Sequence, residues 1–329
     1  MIDVKEYNLG DNVEFLEYAN EAQWHELRKK GIGGSDAGAV MGLNKYTSPL
    51  KLYRTKIGKY KEDQEDNVYI KKGKDLEGVV FEKYVTPDMA SKGYTALHPE
   101  HIFVNKQYPW LRANCDGLAV PLIGTPADNV VIEIKWVSEY AEVNWDGDEY
   151  CGIPASYYAQ VQHYMIVTGA RKARLYALFD RTWDVKIYDI PFNPSFALKL
   201  ISETKQFYDN LQAGIEPKIS ASKDKEFMPE ALEGAPKVQT VDETLDPIVG
   251  EYLTMKAECD ALEKQMQESY DKIIAAYLEG RVPSKMFKVT VSSCKRTGFD
   301  SKRFAADHPA AYEAYKTEVP YSRTVIKKV

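Results

Sequence analysis

The 329-residue chain carries 43 Lys and Arg against 49 Asp and Glu, a net charge of −6, with 44% hydrophobic residues, which suits a soluble globular protein with one large domain plus one or two smaller units. No run of about 18 apolar residues occurs, and Met1-Ile2-Asp3-Val4-Lys5-Glu6 lacks the basic-then-apolar order of a signal peptide, so a cytoplasmic protein without a membrane span is expected. The four cysteines (115, 151, 259, 294) form no C-x-x-C pair, which predicts reduced thiols and argues against a disulfide framework or a cysteine-ligated metal.

In chain order, Trp24 and Leu27, then Ala37, Val40 and Met41, then Leu50, Leu52 and Tyr53 read as helical segments broken by glycine and proline. Residues 68–85 (Val68, Leu76, Val79, Val80, Phe81, Tyr84) form a longer helix with an apolar stripe. After Gly93 the pattern shifts to strands at 101–104, 111–120 and 129–136. A helix follows Pro154, running from Ala155 to Thr168 and ending at Gly169. Residues 173–179 and 183–190 read as a hairpin, and 194–213 as another helix. Alternating helical and extended signals from about residue 20 to 215 predict a mixed α/β domain.

Prolines 217, 229 and 236 and many charges mark a boundary between Gly214 and Pro247. We therefore expect a first domain over 1–215, a linker over 216–245 and an extension over 246–329. The extension opens with apolar residues at helical spacing over 246–280, a long helix, and ends in a strand pair and a short helix. Residues 28–75 hold twelve Lys/Arg against six Asp/Glu, 220–280 six against fourteen, and 281–329 eleven against four. Two basic regions around an acidic one are compatible with a polyanion held at defined places, or with solvated charged faces.

The residues richest in chemistry are Val130-Val131-Ile132-Glu133-Ile134-Lys135-Trp136. In a strand, Ile132, Ile134 and Trp136 face one way and Glu133 and Lys135 the other. A carboxylate and an ammonium on one strand face are costly to bury, so the pair reads either as an exposed ion pair or as a site. Asp116, seventeen residues earlier, ends an extended run, and neighbouring strands would set it beside Glu133. Mg²⁺ takes one or two carboxylates and keeps waters and substrate oxygens. Asp116, Glu133 and the carbonyl of Ile134 would supply such a site, with Lys135 orienting a water or stabilising charge on the scissile group.

An Asp followed by E-x-K on adjacent strands resembles the PD-(D/E)-x-K nuclease superfamily. The neighbouring blocks resemble the lambda-exonuclease-like, YqaJ-type viral recombinase nucleases. Those blocks are Trp24-His25-Glu26-Leu27-Arg28 leading to Gly33-Gly34-Ser35-Asp36-Ala37; Gly73-Lys74-Asp75-Leu76-Glu77; Asn114-Cys115-Asp116-Gly117-Leu118 with Glu133-Ile134-Lys135; and Tyr158-Ala159-Gln160-Val161-Gln162. The match spans roughly residues 20–215. It implies a restriction-endonuclease-like core, a central mixed sheet flanked by helices, followed by a C-terminal helical extension.

The resemblance further implies Lys135 as the catalytic lysine, Asp116 and Glu133 as metal ligands, Glu77 as a third carboxylate and Gln160 reaching in from the helix after Pro154. Helix geometry separates Gln160 from Gln162 by about 200°, and Tyr164 shares the Gln160 face. Arg28 and Ser35 resemble residues that grip a terminal 5′ phosphate, with Asn114 grouped among the DNA contacts. Independently, Gly31-Ile32-Gly33-Gly34-Ser35 enters a helix whose free N–H groups and Ser cap favour an anion, and Arg supplies a bidentate fork. Lys74 is either a backbone contact or part of a solvated Lys71-Lys72-Gly73-Lys74 run. Cys115 stands where the superfamily often has proline, and His98 and His101 read as incidental.

The activity implied is Mg²⁺-dependent digestion of the 5′-terminated strand of duplex DNA ends, with Mn²⁺ substituting and Ca²⁺ inhibiting. A ring-shaped homotrimer, a single-strand annealing partner and a phage or prophage origin in a bacterial cell are implied with it. An endonuclease on the same fold, a catalytically silent DNA-binding subunit and a hydrolase of small phosphorylated substrates are the rivals.

Overall fold

The computed structural model describes residues 4–60, 68–235, 240–283, 289–293 and 298–317. Two compact units divide the chain, Met1–Asp224 and Lys225–Val329. In chain order the first unit contains strand β1 (Val13–Leu16), helix α1 (Glu21–Lys29), β2 (Ile32–Gly33), α2 (Gly34–Val40), α3 (Pro49–Lys56), α4 (Val68–Val80), α5 (Thr86–Ser91), β3 (Tyr94–Leu97), β4 (Ile102–Asn105), β5 (Tyr108–Ala113), β6 (Gly117–Pro121), β7 (Val130–Val137), α6 (Ala155–Thr168), β8 (Lys172–Phe179), β9 (Val185–Pro191) and α7 (Pro194–Ala213).

The expected mixed sheet is five-stranded, ordered β3-β6-β7-β8-β9, with β7 and β8 parallel and the other pairs antiparallel. Helix α6 connects the parallel pair. A second sheet, β1-β4-β5-β2, was not anticipated, because β1 and β2 are four and two residues long and carry too little alternation to stand out.

The extended run expected over 111–120 is two strands, not one. β5 belongs to the four-stranded sheet and β6 to the five-stranded one, so the chain changes sheets across Asn114-Cys115-Asp116. The buried Cys115 anchors this step. Asp116 therefore precedes a strand rather than ending one. The helix expected over 68–85 continues through a π turn, Phe81–Val85, into α5. Pro87 has no N–H and its ring crowds the carbonyl four residues back, which widens that turn.

The alternation read in β7 holds. Ile132, Ile134 and Trp136 pack with Val80, Phe81 and Met89 below the sheet. Val131 and Val137 pack with Ala159, Val161 and Met165 of α6 above it. Helix α6 spans the residues expected and closes at Gly169, whose φ of 81° is the left-handed cap that glycine adopts without strain. Eleven of its fourteen residues are buried, which locks its polar members in place.

The second unit holds α8 (Met228–Glu233), the 33-residue α9 (Asp246–Leu278), α10 (Ser301–Asp307) and α11 (Pro309–Tyr315). No residue of α9 is buried. The described part of the C-terminal segment contains two short helices and no strand. Asp300 caps α10 through the Arg303 N–H, and the rings of Phe299, Phe304 and His308 stack locally. The basic residues Lys295, Arg296, Lys327 and Lys328 and Cys294 lie outside the described residues, among which Cys115, Cys151 and Cys259 are free thiols. Among the described residues no helix is long and apolar enough to cross a membrane.

Candidate active site

Pairing of β6 with β7 stops at Gly117 opposite Ile132, so beyond Ile132 that edge of β7 lacks a strand partner. Asp116 fills the gap: its Oδ2 accepts the N–H of Ile134 at 2.7 Å. A residue's N–H and C=O point to the same side of a strand, so the Ile134 carbonyl also faces Asp116. Glu133, one residue earlier, is 1% exposed. Its Oε1 accepts from Lys135 and, at 2.6 Å, from Gln160 Nε2, while Oε2 has no hydrogen-bond partner. The ammonium of Lys135 rests 5.0 Å from the centre of the Tyr157 ring.

Burial pushes both carboxyls above their ordinary range. For Asp116 the charge of Glu133 adds to that effect, with Lys135 and the Ile134 N–H opposing it. For Glu133 the ammonium and amide of Lys135 and Gln160 oppose, and Glu77 adds. Burial alone would lower Lys135, but Glu133 and Asp116 hold it protonated above its usual value. Two carboxylates outnumber the one cation among them, and Glu133 Oε2 is unsatisfied. A hard divalent cation fits this donor set, since it would keep both carboxylates ionised and satisfy Glu133 Oε2.

Glu77 acts electrostatically on both carboxylates from α4, but its own carboxylate meets His98 Nε2 at 3.5 Å. That hydrogen bond and charge raise the His98 pKa. His98, which reads as incidental in the sequence, is thus beside Glu77. Among the described residues no three His, Cys, Asp or Glu side chains cluster closely enough to hold an ion without backbone or solvent oxygens.

Gln160 also donates to the hydroxyl of Tyr164 at 3.0 Å, one helical turn away. Gln162 turns elsewhere and donates to the carbonyl of Pro191 at 2.8 Å. Tyr164 in turn supports the glycine-rich loop: a Cβ on Gly34 would lie 2.2 Å from its ring. In that loop Arg28 Nη2 donates to Ser35 Oγ at 2.8 Å, and the guanidinium lies 4.4 Å from the centre of the Trp24 ring. The Trp24 indole N–H donates to Asn114, two residues before Asp116. Asn114 therefore holds Trp24, and through it Arg28. Lys74 is exposed and 3.9 Å from Glu21.

Two residues overlooked in the sequence complete the loop. Asp36 accepts the Gly33 N–H at 2.8 Å and the Lys56 ammonium at 2.8 Å, and Lys56 also donates to the Gly31 carbonyl at 2.8 Å. Burial raises the Asp36 carboxyl, but Lys56 and Arg28 outweigh it and hold the pKa below its usual range. The Asp36 bond back to the N-cap amide is local, half of a capping box without the side chain that Gly33 lacks; the partner Lys56 is twenty residues away.

Residues 23–171 match the model for the YqaJ-like viral recombinase domain. That stretch of the chain is similar to that family. The match is shorter than the 20–215 expected, and β8, β9 and α7 lie beyond it. The chain is 26% identical over 332 residues to the uncharacterized protein YqaJ of Bacillus subtilis (strain 168), covering 93% of this chain and 94% of that one. An alkaline exonuclease of Laribacter hongkongensis superposes with a TM-score of 0.45 at 19% identity, over 65% of this chain and 100% of that chain. Its complex with dAMP superposes at 0.47 and 18% identity, with the same coverage. The likeness of residues 23–171 to that family and the Asp116/Glu133/Lys135 site together support a nuclease.

Proposed function

We propose that the protein is a Mg²⁺-dependent exonuclease that digests the 5′-terminated strand from a duplex DNA end, leaving a 3′ overhang for recombination. The observation that carries this reading is the pairing of half-buried Asp116 and buried Glu133 beside Lys135, with Glu133 Oε2 unpartnered and the Gln160–Tyr164 link leading to the Arg28/Ser35 loop.

Asp116, Glu133 and the Ile134 carbonyl would hold the ion, which when bound acidifies water and neutralises phosphate charge. Lys135, kept protonated by its neighbours, donates to the non-bridging oxygen where charge grows during attack. Water adds its oxygen to phosphorus and loses a proton. The P–O3′ bond breaks, the 3′ oxygen gains a proton, and a 5′-mononucleotide leaves. Gln160 fixes the rotamer of Glu133 throughout. Arg28 and Ser35, with the N–H groups opening α2, take the terminal 5′ phosphate, and Lys74 contacts the DNA backbone. Glu77, partnered by His98, adds negative charge at the rim that favours a cation.

On this reading residues 1–215 are the exonuclease domain, 216–245 connect it and 246–329 form an extension. Mn²⁺ supports turnover, Ca²⁺ occupies the site without it, and a trimeric ring and an annealing partner in a bacterial cytoplasm accompany the activity. Digestion of a linear duplex, each strand end-labelled in turn, with and without 5′ phosphate, tests the proposal. Faster loss of the phosphorylated 5′ strand, with closed circles untouched, is expected. Cutting of circles makes the protein an endonuclease, and no cleavage with any metal leaves a silent binding subunit.

A further inference from the structure

Beside Lys135 lies a cavity that the site chemistry does not use. About 450 Å³ in volume, it opens between the turn after α2 and residues 141–157, and its lining includes Lys45, Tyr46, Trp145, Asp148, Glu149 and Tyr157. Its inner wall is shared with the site, because the ring of Tyr157 also carries the Lys135 ammonium at 5.0 Å. Trp145 backs that wall, its ring centre 5.8 Å from that of Tyr157, and is only 7% exposed. Tyr46 forms the outer lip and is 81% exposed; Asn44 accepts its N–H at 2.8 Å, fixing the turn that carries it. Lys45 donates across the mouth to Asn144 and so ties the two walls together.

We propose that this cavity receives the nucleobase of the nucleotide being released, unstacked from the duplex and held against Tyr46 and Tyr157. This rests on the nuclease reading above. The charges decide the ligand class. Asp148 and Glu149 line the cavity, and its one lysine is engaged by Asn144, so a phosphate is poorly matched. A flat neutral ring is well matched, since every base presents a π face to an aromatic side chain and the stack tolerates any sequence. The position agrees: the phosphate attacked beside Lys135 is esterified to O3′ of the released nucleotide, so that nucleotide's base is one sugar away, within reach of the wall that Tyr157 shares. Such a site would also trap the frayed end and keep it from re-pairing.

The test uses the full chain and duplexes bearing 2-aminopurine, or an abasic analogue, at the 5′-terminal nucleotide. With EDTA present, binding should quench 2-aminopurine in the wild type; Tyr46→Ala should lose most of that quenching and Tyr46→Phe should keep it. Unchanged emission in the wild type, or equal quenching in all three proteins, overturns the proposal. With Mg²⁺, the abasic end should lower wild-type kcat/KM by roughly 5- to 150-fold, the range for one base–aromatic stack. Tyr46→Ala should lose a similar factor on the intact end and nothing further on the abasic one. Equal losses on both ends would make Tyr46 structural and overturn the pocket. Quenching without cleavage by the wild type keeps the pocket and removes the nuclease reading, so the two fail separately.

Discussion

The backbone of Gly34 lies so close to the ring of Tyr164 that a methyl group there would fall 2.2 Å from Cε1. Because Tyr164 accepts from Gln160 and Gln160 donates to Glu133, the glycine-rich loop and the carboxylate pair share one support. Gly34→Ala is expected to displace the ring, at a cost of about 1–3 kcal/mol for an overpacked interior. It should impair cleavage and 5′-phosphate preference together. Urea unfolding with end-labelled digestion checks this, and a variant with normal cleavage but no phosphate preference would show the loop to be independent.

Replacing either of these carboxylates by its amide separates the chemistry from the fold. Asp116→Asn and Glu133→Gln remove like charge that burial and mutual repulsion already push toward the neutral form. In EDTA both variants should unfold at higher urea than the wild type, while cleavage in Mg²⁺ disappears. Retained cleavage would remove these residues from the metal site. Lys135→Ala should lower kcat by at least about 100-fold, as for other single transition-state contacts; a near-normal rate would exclude it from the mechanism.

Arg28 is stacked on Trp24 and bonded to Ser35, a posture that presents its remaining donors to an anion. Arg28→Ala should equalise the rates on 5′-phosphorylated and 5′-hydroxyl ends, mainly through KM for the phosphorylated one. Paired single-turnover and steady-state assays on the two ends read this directly. Undiminished preference would place the phosphate elsewhere.

His163 is fully buried on α6, with Nε2 at 2.9 Å from the Arg112 carbonyl, and burial lowers its pKa from 6.5 to about 4. Because the folded value is the depressed one, the unfolded chain binds the extra proton between those two pH values. The contribution is complete above about pH 6.5 and is lost as pH falls toward 4, up to about 3 kcal/mol in all. His163→Gln should be less stable than the wild type at pH 7.5 yet lose less on acidification to pH 5. Parallel urea midpoints across that range would count against it.

The blocks around Arg28, Glu77, Asp116, Glu133 and Gln160 were legible because each is short and local: a strand alternation, a helix period, a glycine-rich turn. Helices α6 and α7 were readable to the residue, since Pro154 and Gly169, and Pro194 and Gly214, punctuate them. The sheet switch at Asn114-Cys115-Asp116 was not, because one extended run and two look alike until their partners are known. His98, Lys56 and Tyr46 escaped for the same reason: each gains its meaning from a residue far away in the chain.

Alone, the amino-acid order determined which chemical groups the protein has and on which faces of its helices and strands they stand, because backbone periodicity is local. The tertiary structure decided their consequences. Only when β6 stops short of Ile134, and α6 closes over Glu133, do an aspartate and a glutamate become a dehydrated pair short of positive charge. Desolvation depends on everything packed around a group, and no stretch of sequence contains that sum.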